Sequence, residues 1–140
     1  NFTCKCHNQI LRREQESFDI KISMTMNIKE IQEKLSKFAE ERDWDQFHSP
    51  KNLVMALTSE VGELNELFQW LTEGQSSIKD DSSKTDEIRQ EIADIFIYLL
   101  RLADKLDIDI EEAVREKIEI NAKKYPIDLA KGNATKYNRR

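Results

Sequence analysis

The chain has 140 residues, a length that suits one compact domain, and its three Gly, two Pro and abundance of Glu, Lys, Leu, Ile and Ala favour helix over sheet. A net charge of −5 argues against general attraction to nucleic acid, so an anionic substrate would need a cation to mediate the contact. No apolar run of about 18 residues exists to cross a membrane, and none near the N-terminus suits a signal peptide, so a cytoplasmic setting is expected.

Residues 1–26 lack periodicity and are expected to be an added or dispensable extension; Met24 and Met26 directly precede the first helical pattern. Cys4, Cys6 and His7 invite a metal reading, but three ligands crowded at a chain end lack a second knuckle and read as incidental. From Asn27, a candidate N-cap, Ile28, Ile31, Leu35 and Phe38 recur at helical spacing to about Arg42. Residues 43–50 break the pattern, and Pro50 prevents one continuous helix.

A second helix is expected over 51–71, with Leu53, Leu57, Val61, Leu64, Phe68 and Leu71 on one face and Gly74 ending it. After a polar loop, a third is expected over 85–106, with Ile88, Ile92, Ile95, Leu99, Leu102 and Leu106 aligned. A fourth follows over 110–124, carrying Ile110, Val114 and Ile118, and Pro126 closes it. Residues 127–140 read as a basic tail, leaving 27–126 as the domain. Amphipathic helices with short joints bury their stripes against one another, so the expected fold is an all-α four-helix bundle.

Two acidic pairs carry the chemistry: Glu60 and Glu63 on the second helix, Glu91 and Asp94 on the third. A spacing of three makes the members of each pair neighbours on one helix face. Glu60 falls inside the apolar stripe and Glu63 at its edge, whereas Glu91 and Asp94 flank the third helix's stripe beside Tyr98 and Lys105. Such pairs also decorate solvated helices, as Glu66, Glu87 and Glu112 illustrate. A carboxylate within an apolar stripe is costly unless neutralised, however, and four converging ones repel. A divalent cation resolves both problems, and an all-oxygen ligand set points to Mg²⁺ or Mn²⁺ rather than zinc or iron. Lys117 and Asn121 share a face of the fourth helix, suited to phosphate oxygens, and Trp44 and Trp70 suit either core or nucleobase stacking.

The runs 41–48 (ERDWDQFH), 57–70 (LTSEVGELNELFQW), 91–99 (EIADIFIYL) and 117–126 (KIEINAKKYP) resemble the MazG-like all-α nucleotide pyrophosphohydrolases, and among them the dCTP pyrophosphatase branch. The resemblance extends over 27–137. It implies hydrolysis of a (deoxy)nucleoside triphosphate to the monophosphate and pyrophosphate, with Mg²⁺ held by Glu60, Glu63, Glu91 and Asp94. It further implies base contacts from Trp44, Trp70 and Tyr98, phosphate contacts from Lys117, Asn121 and Tyr125, and sites shared across a homodimer or homotetramer. Glu63, at the stripe edge, is the candidate acceptor of the attacking water's proton. Leu35 departs from the pattern, standing where relatives can carry a histidine facing the base. Two other readings are a pyrophosphohydrolase of another nucleotide, such as phosphoribosyl-ATP, and a non-catalytic helical oligomerisation module.

Overall fold

A computed structural model describes residues 27–78, 81–132 and 134–135, with only the backbone of Ser82. The expectations for Cys4, Cys6, His7 and the rest of 1–26 lie outside the described residues. Among the described residues five α-helices and one 3₁₀ turn follow in order: α1 (Ile28–Glu40), the turn Asp45–Phe47, α2 (Pro50–Phe68), α3 (Ser82–Lys105), α4 (Ile110–Lys124) and α5 (Ile127–Ala130). No strand occurs among the described residues, and none of these helices is long and apolar enough to cross a membrane. Residues Gln32–Arg140 form one compact unit; Asn1–Ile31 are assigned to another, of which the first turn of α1 is described.

Side-chain caps start α1 to α4. Asn27 Oδ1 accepts the Glu30 amide, Ser49 accepts from Asn52 with Pro50 at the first helical position, and Asp81 and Asp109 accept from Lys84 and Glu112. The Asp81 cap starts α3 three residues before the expected 85. Two ends share a device the sequence reading did not foresee. At Asp43 and Asp107 the backbone turns left-handed, with φ 53° at both. The Trp44 amide donates to the Ala39 carbonyl and Asp43 to Glu40; Ile108 likewise donates to Ala103 and Asp107 to Asp104. These are Schellman closures, with aspartate where glycine is usual.

The sequence expects Gly74 to end α2, but the helix stops at Phe68, and Gly74 is absent from the positive-φ positions. The amides of Gln69 and Leu71 close that end instead, on the carbonyls of Asn65 and Phe68.

α2 and α3 make the one extended helix–helix contact among the described residues. They run antiparallel. Phe68 lines a hollow with Thr85 and Ile88, Glu60 meets Glu91 midway, and Phe47, held by Asn52, belongs to the turn whose Asp45 meets Arg101 and Lys105. The fully buried apolar residues gather at that last end: Ala39 of α1, Leu53 of α2, Leu100 and Ala103 of α3. Gln32 Nε2 of α1 donates to the Leu100 carbonyl at 3.2 Å in the same place.

The expected stripes are not fully covered within the chain. On α3, Ile92 is 54% exposed, and Leu106, just past its end, remains open; on α4, Val114 and Ile118 are exposed, Ile118 by 62%. Packing instead buries Leu100, Arg101 and Ala103 of α3, residues outside its expected stripe.

Candidate active site

The antiparallel hairpin brings the two acidic pairs to the same level. Carboxylate oxygens of Glu60, Glu63 and Glu91 all lie within 4.8 Å of one another, with Glu60 and Glu91 half-buried and Glu63 exposed. Asp94, one turn along α3, stands outside this trio but close enough for its charge to act on Glu60 and Glu91. Burial first, then the Glu63, Asp94 and Glu91 charges, raise the Glu60 carboxyl above its ordinary value. Burial, Glu63 and Asp94 do the same to Glu91. Glu91 Oε2 is buried without a hydrogen-bond partner among the described residues.

This donor set fits a hard divalent cation. Three close carboxylates supply oxygen ligands, and the unpartnered Glu91 oxygen is the kind of buried acceptor that a positive ion satisfies. No histidine or thiol belongs to the group, which leaves zinc and iron without their usual partners.

Tyr98 joins the same face. It follows Asp94 by one turn of α3, burial raises its phenol above the ordinary value, and the Glu60 and Asp94 charges add to the effect. The tryptophans are kept apart. Trp44 precedes α2 and Trp70 follows it, and the 19 residues of Pro50–Phe68 span about 27 Å of helix. Within the chain they therefore sit on opposite sides of the acidic cluster. Trp70 is 86% exposed. Trp44 is half-exposed and fixed: its ring meets Phe38 edge-on with centroids 5.9 Å apart, and the Arg42 guanidinium covers Phe38 at 3.6 Å.

Lys117, Asn121 and Tyr125 lie on or just after α4, whose side chains are largely exposed and which has no extended contact with another helix among the described residues. The Tyr125 amide donates to the Asn121 carbonyl and caps the helix.

Sequence reasoning missed a second polar cluster, toward the C-terminal end of α3. Arg101 is 3% exposed, yet its guanidinium reaches Ser36 Oγ at 2.6 Å, Asp104 Oδ2 at 2.9 Å and Asp45 Oδ1 at 3.1 Å. Lys105 Nζ meets the same Asp45 oxygen at 2.6 Å. The Lys105 hydrogen bond, with the charges of Lys105 and Arg101, holds the Asp45 carboxyl below its ordinary value against the opposing effect of burial. The one signal in the sequence was Arg101 in line with Asp94 and Lys105 on α3.

Comparison with known proteins agrees with the all-α fold. Human dCTP pyrophosphatase 1 is 42% identical over 111 residues, 79% of this chain and 65% of that protein. The bovine protein of the same name is 41% identical over an equal length, 66% of its own. The chain thus spans about two thirds of the length of these relatives. A solved pyrophosphatase from Archaeoglobus fulgidus superposes with a TM-score of 0.66 and 38% identity, over 73% of this chain and 94% of that one. Residues 55–139, which hold all four acidic positions, match the MazG-like family, and the chain belongs to that family.

Proposed function

We propose that this chain hydrolyses a (deoxy)nucleoside triphosphate, dCTP or another dNTP, between its α- and β-phosphates, releasing the monophosphate and pyrophosphate. The observation that carries the reading is the meeting of Glu60, Glu63 and Glu91 within 4.8 Å, with one Glu91 oxygen left unpartnered. Identity to proteins named dCTP pyrophosphatase supports it. In this reading Glu60, Glu63, Glu91 and Asp94 hold Mg²⁺, for which Mn²⁺ can substitute. Mg²⁺, when bound, neutralises the triphosphate and polarises the phosphoryl group under attack.

The chain's own residues do the rest. Glu63, the open member of the trio, accepts the proton of the attacking water. Trp44 stacks the base, because its ring is already held against Phe38 whereas Trp70 projects freely. Asp94, Tyr98 and Arg101 lie along one face of α3, and Asp94 and Arg101 are about 10 Å apart along the helix axis. The triphosphate lies over Asp94 and Tyr98 in this reading, with the nucleoside pointing toward Trp44. Lys117, Asn121 and Tyr125 then meet phosphate oxygens, with Lys117 stabilising charge on the departing pyrophosphate. Trp70 closes the site from a second copy. Self-association as a homodimer or homotetramer is supported by the apolar residues left open on α3 and α4, Ile92, Val114 and Ile118 among them.

The test is product analysis by ³¹P NMR over the eight common nucleoside triphosphates with Mg²⁺. Monophosphate and pyrophosphate from at least one of them is the expected result. Diphosphate and orthophosphate, or no turnover of any, would contradict it. Turnover of phosphoribosyl-ATP alone would transfer the same chemistry to another substrate.

A further inference from the structure

The Arg101 cluster lies about 10 Å along α3 from Asp94, too far to share the acidic site, and its charges are turned on one another. Its partners come from three separate stretches of chain. Ser36 belongs to α1, Asp45 to the 3₁₀ turn, and Asp104 and Lys105 to the end of α3. A guanidinium taken this far out of water is costly unless each of its faces is used. Here NH1 donates to both Ser36 and Asp104 and NH2 donates to Asp45, so the outer edge of the fork is used, while Nε is buried without a partner among the described residues. Burial and the neighbouring Arg101 charge hold His48 below its ordinary value, so near neutral pH it adds no further positive charge.

The turn that Arg101 grips has other straps. Gln46 Nε2 donates to the Asp43 carbonyl at 2.9 Å and to its carboxylate at 2.8 Å, and Asn52 Nδ2 donates to the Phe47 carbonyl at 2.9 Å. The residue preceding Asp45 is Trp44. The Schellman closure fixes its backbone amide on Ala39, and Phe38 meets its ring. From Asp45 onward, the tie between this turn and α3 runs through Arg101 and Lys105.

We infer that Arg101 and Asp45 form a positioning clamp that sets Trp44 in register with the face of α3 carrying Asp94 and Tyr98, and so tune base affinity without touching substrate. The inference rests on the proposed stacking by Trp44. Arg is suited to the task because its planar fork serves several acceptors from one fixed position, which a lysine ammonium at the same place does not reproduce.

Asp45→Asn tests this with the least danger to the fold, because Asp45 is exposed and Arg101 keeps Asp104 and Ser36. Its KM for the nucleotide should rise about fivefold or more, the lower end of a lost base stack, with kcat within about twofold and the melting temperature nearly unchanged. Trp44→Ala should raise KM at least as far, and adding Asp45→Asn to it should do nothing more, since both changes remove one contact. In a Trp70→Phe background Trp44 is the sole tryptophan, and Asp45→Asn should increase acrylamide quenching of its fluorescence. Arg101→Lys, which keeps the charge and loses the fork, should reproduce the KM and quenching changes.

A rise in KM for Trp44→Ala with none for Asp45→Asn would overturn the clamp and leave the stacking reading standing. An unchanged KM for Trp44→Ala would remove the stacking reading and the clamp together. Equal losses of kcat and stability in Asp45→Asn, with KM and quenching unmoved, would show the network to be structural and overturn the inference.

Discussion

Glu91 has one carboxylate oxygen buried without a donor among the described residues, and its neighbours Glu63 and Asp94 bear the same charge. The metal-free protein meets this conflict by holding protons more tightly. Because the folded-state values of Glu60 and Glu91 lie above their ordinary 4.5, the stability they contribute is complete below that pH and is lost as pH rises through the raised values. His48 works in the opposite sense. Its lowered value makes the folded state lose stability as pH falls below its ordinary 6.5. Comparing Glu91→Gln with the wild type at each pH cancels the histidine. In EDTA, the melting temperature of Glu91→Gln relative to wild type should climb between pH 4 and pH 8, and saturating Mg²⁺ should reverse the ordering at pH 8. A constant difference across that range would mean that the acidic side chains do not repel one another in the folded chain. The Glu60 conflict was readable in the sequence, since a carboxylate interrupted an apolar stripe. Arg101 was not, because its burial depends on Asp45, 56 residues away, folding back onto α3.

Helices α2 and α4 follow the hydrophobic period, and the Asn27 cap and Pro50 do what their chemistry suggests. Helix ends were harder to read. The sequence offered Gly74 as the stop for α2, but the left-handed closures fall on Asp43 and Asp107, residues whose short polar side chains tolerate that conformation. What marks them is a joint pattern: a small residue that packs in the core, Ala39 or Ala103, four residues before the aspartate, and a large apolar residue, Trp44 or Ile108, just after it. Period-counting does not detect this arrangement. Asp107 is a clean place to measure its cost. Asp107→Gly should raise unfolding stability by about 0.5–1 kcal/mol, read from the midpoint of urea denaturation, because glycine adopts this φ without the Cβ clash. A loss of stability would mean that the aspartate carboxylate makes a favourable interaction there.

Across the whole molecule, periodicity identified which residues are apolar but not which of them a single chain buries. The fully buried apolar residues cluster at the α1–α2–α3 end, while Ile92 and Ile118 keep more than half their surface and Trp70 keeps 86%. A sequence with several amphipathic helices looks the same whether its stripes close within one chain or between copies, so the four-helix expectation could not separate the two. The same ambiguity affects the site. The acidic residues and Tyr98 assemble within the hairpin, yet Trp44 and Trp70 lie on opposite sides of them and α4 presents Lys117 and Asn121 outward. The central claim depends on the part that a single chain does assemble. It is tested most directly by pyrophosphate release from dCTP at saturating Mg²⁺, comparing wild type with Glu60→Gln, which keeps the shape of the side chain and removes its charge. The account predicts loss of turnover by at least about a hundredfold, as expected when a charged ligand is removed from a catalytic metal site, with helical circular dichroism intact. Near-wild-type pyrophosphate release from Glu60→Gln would contradict the proposed metal site.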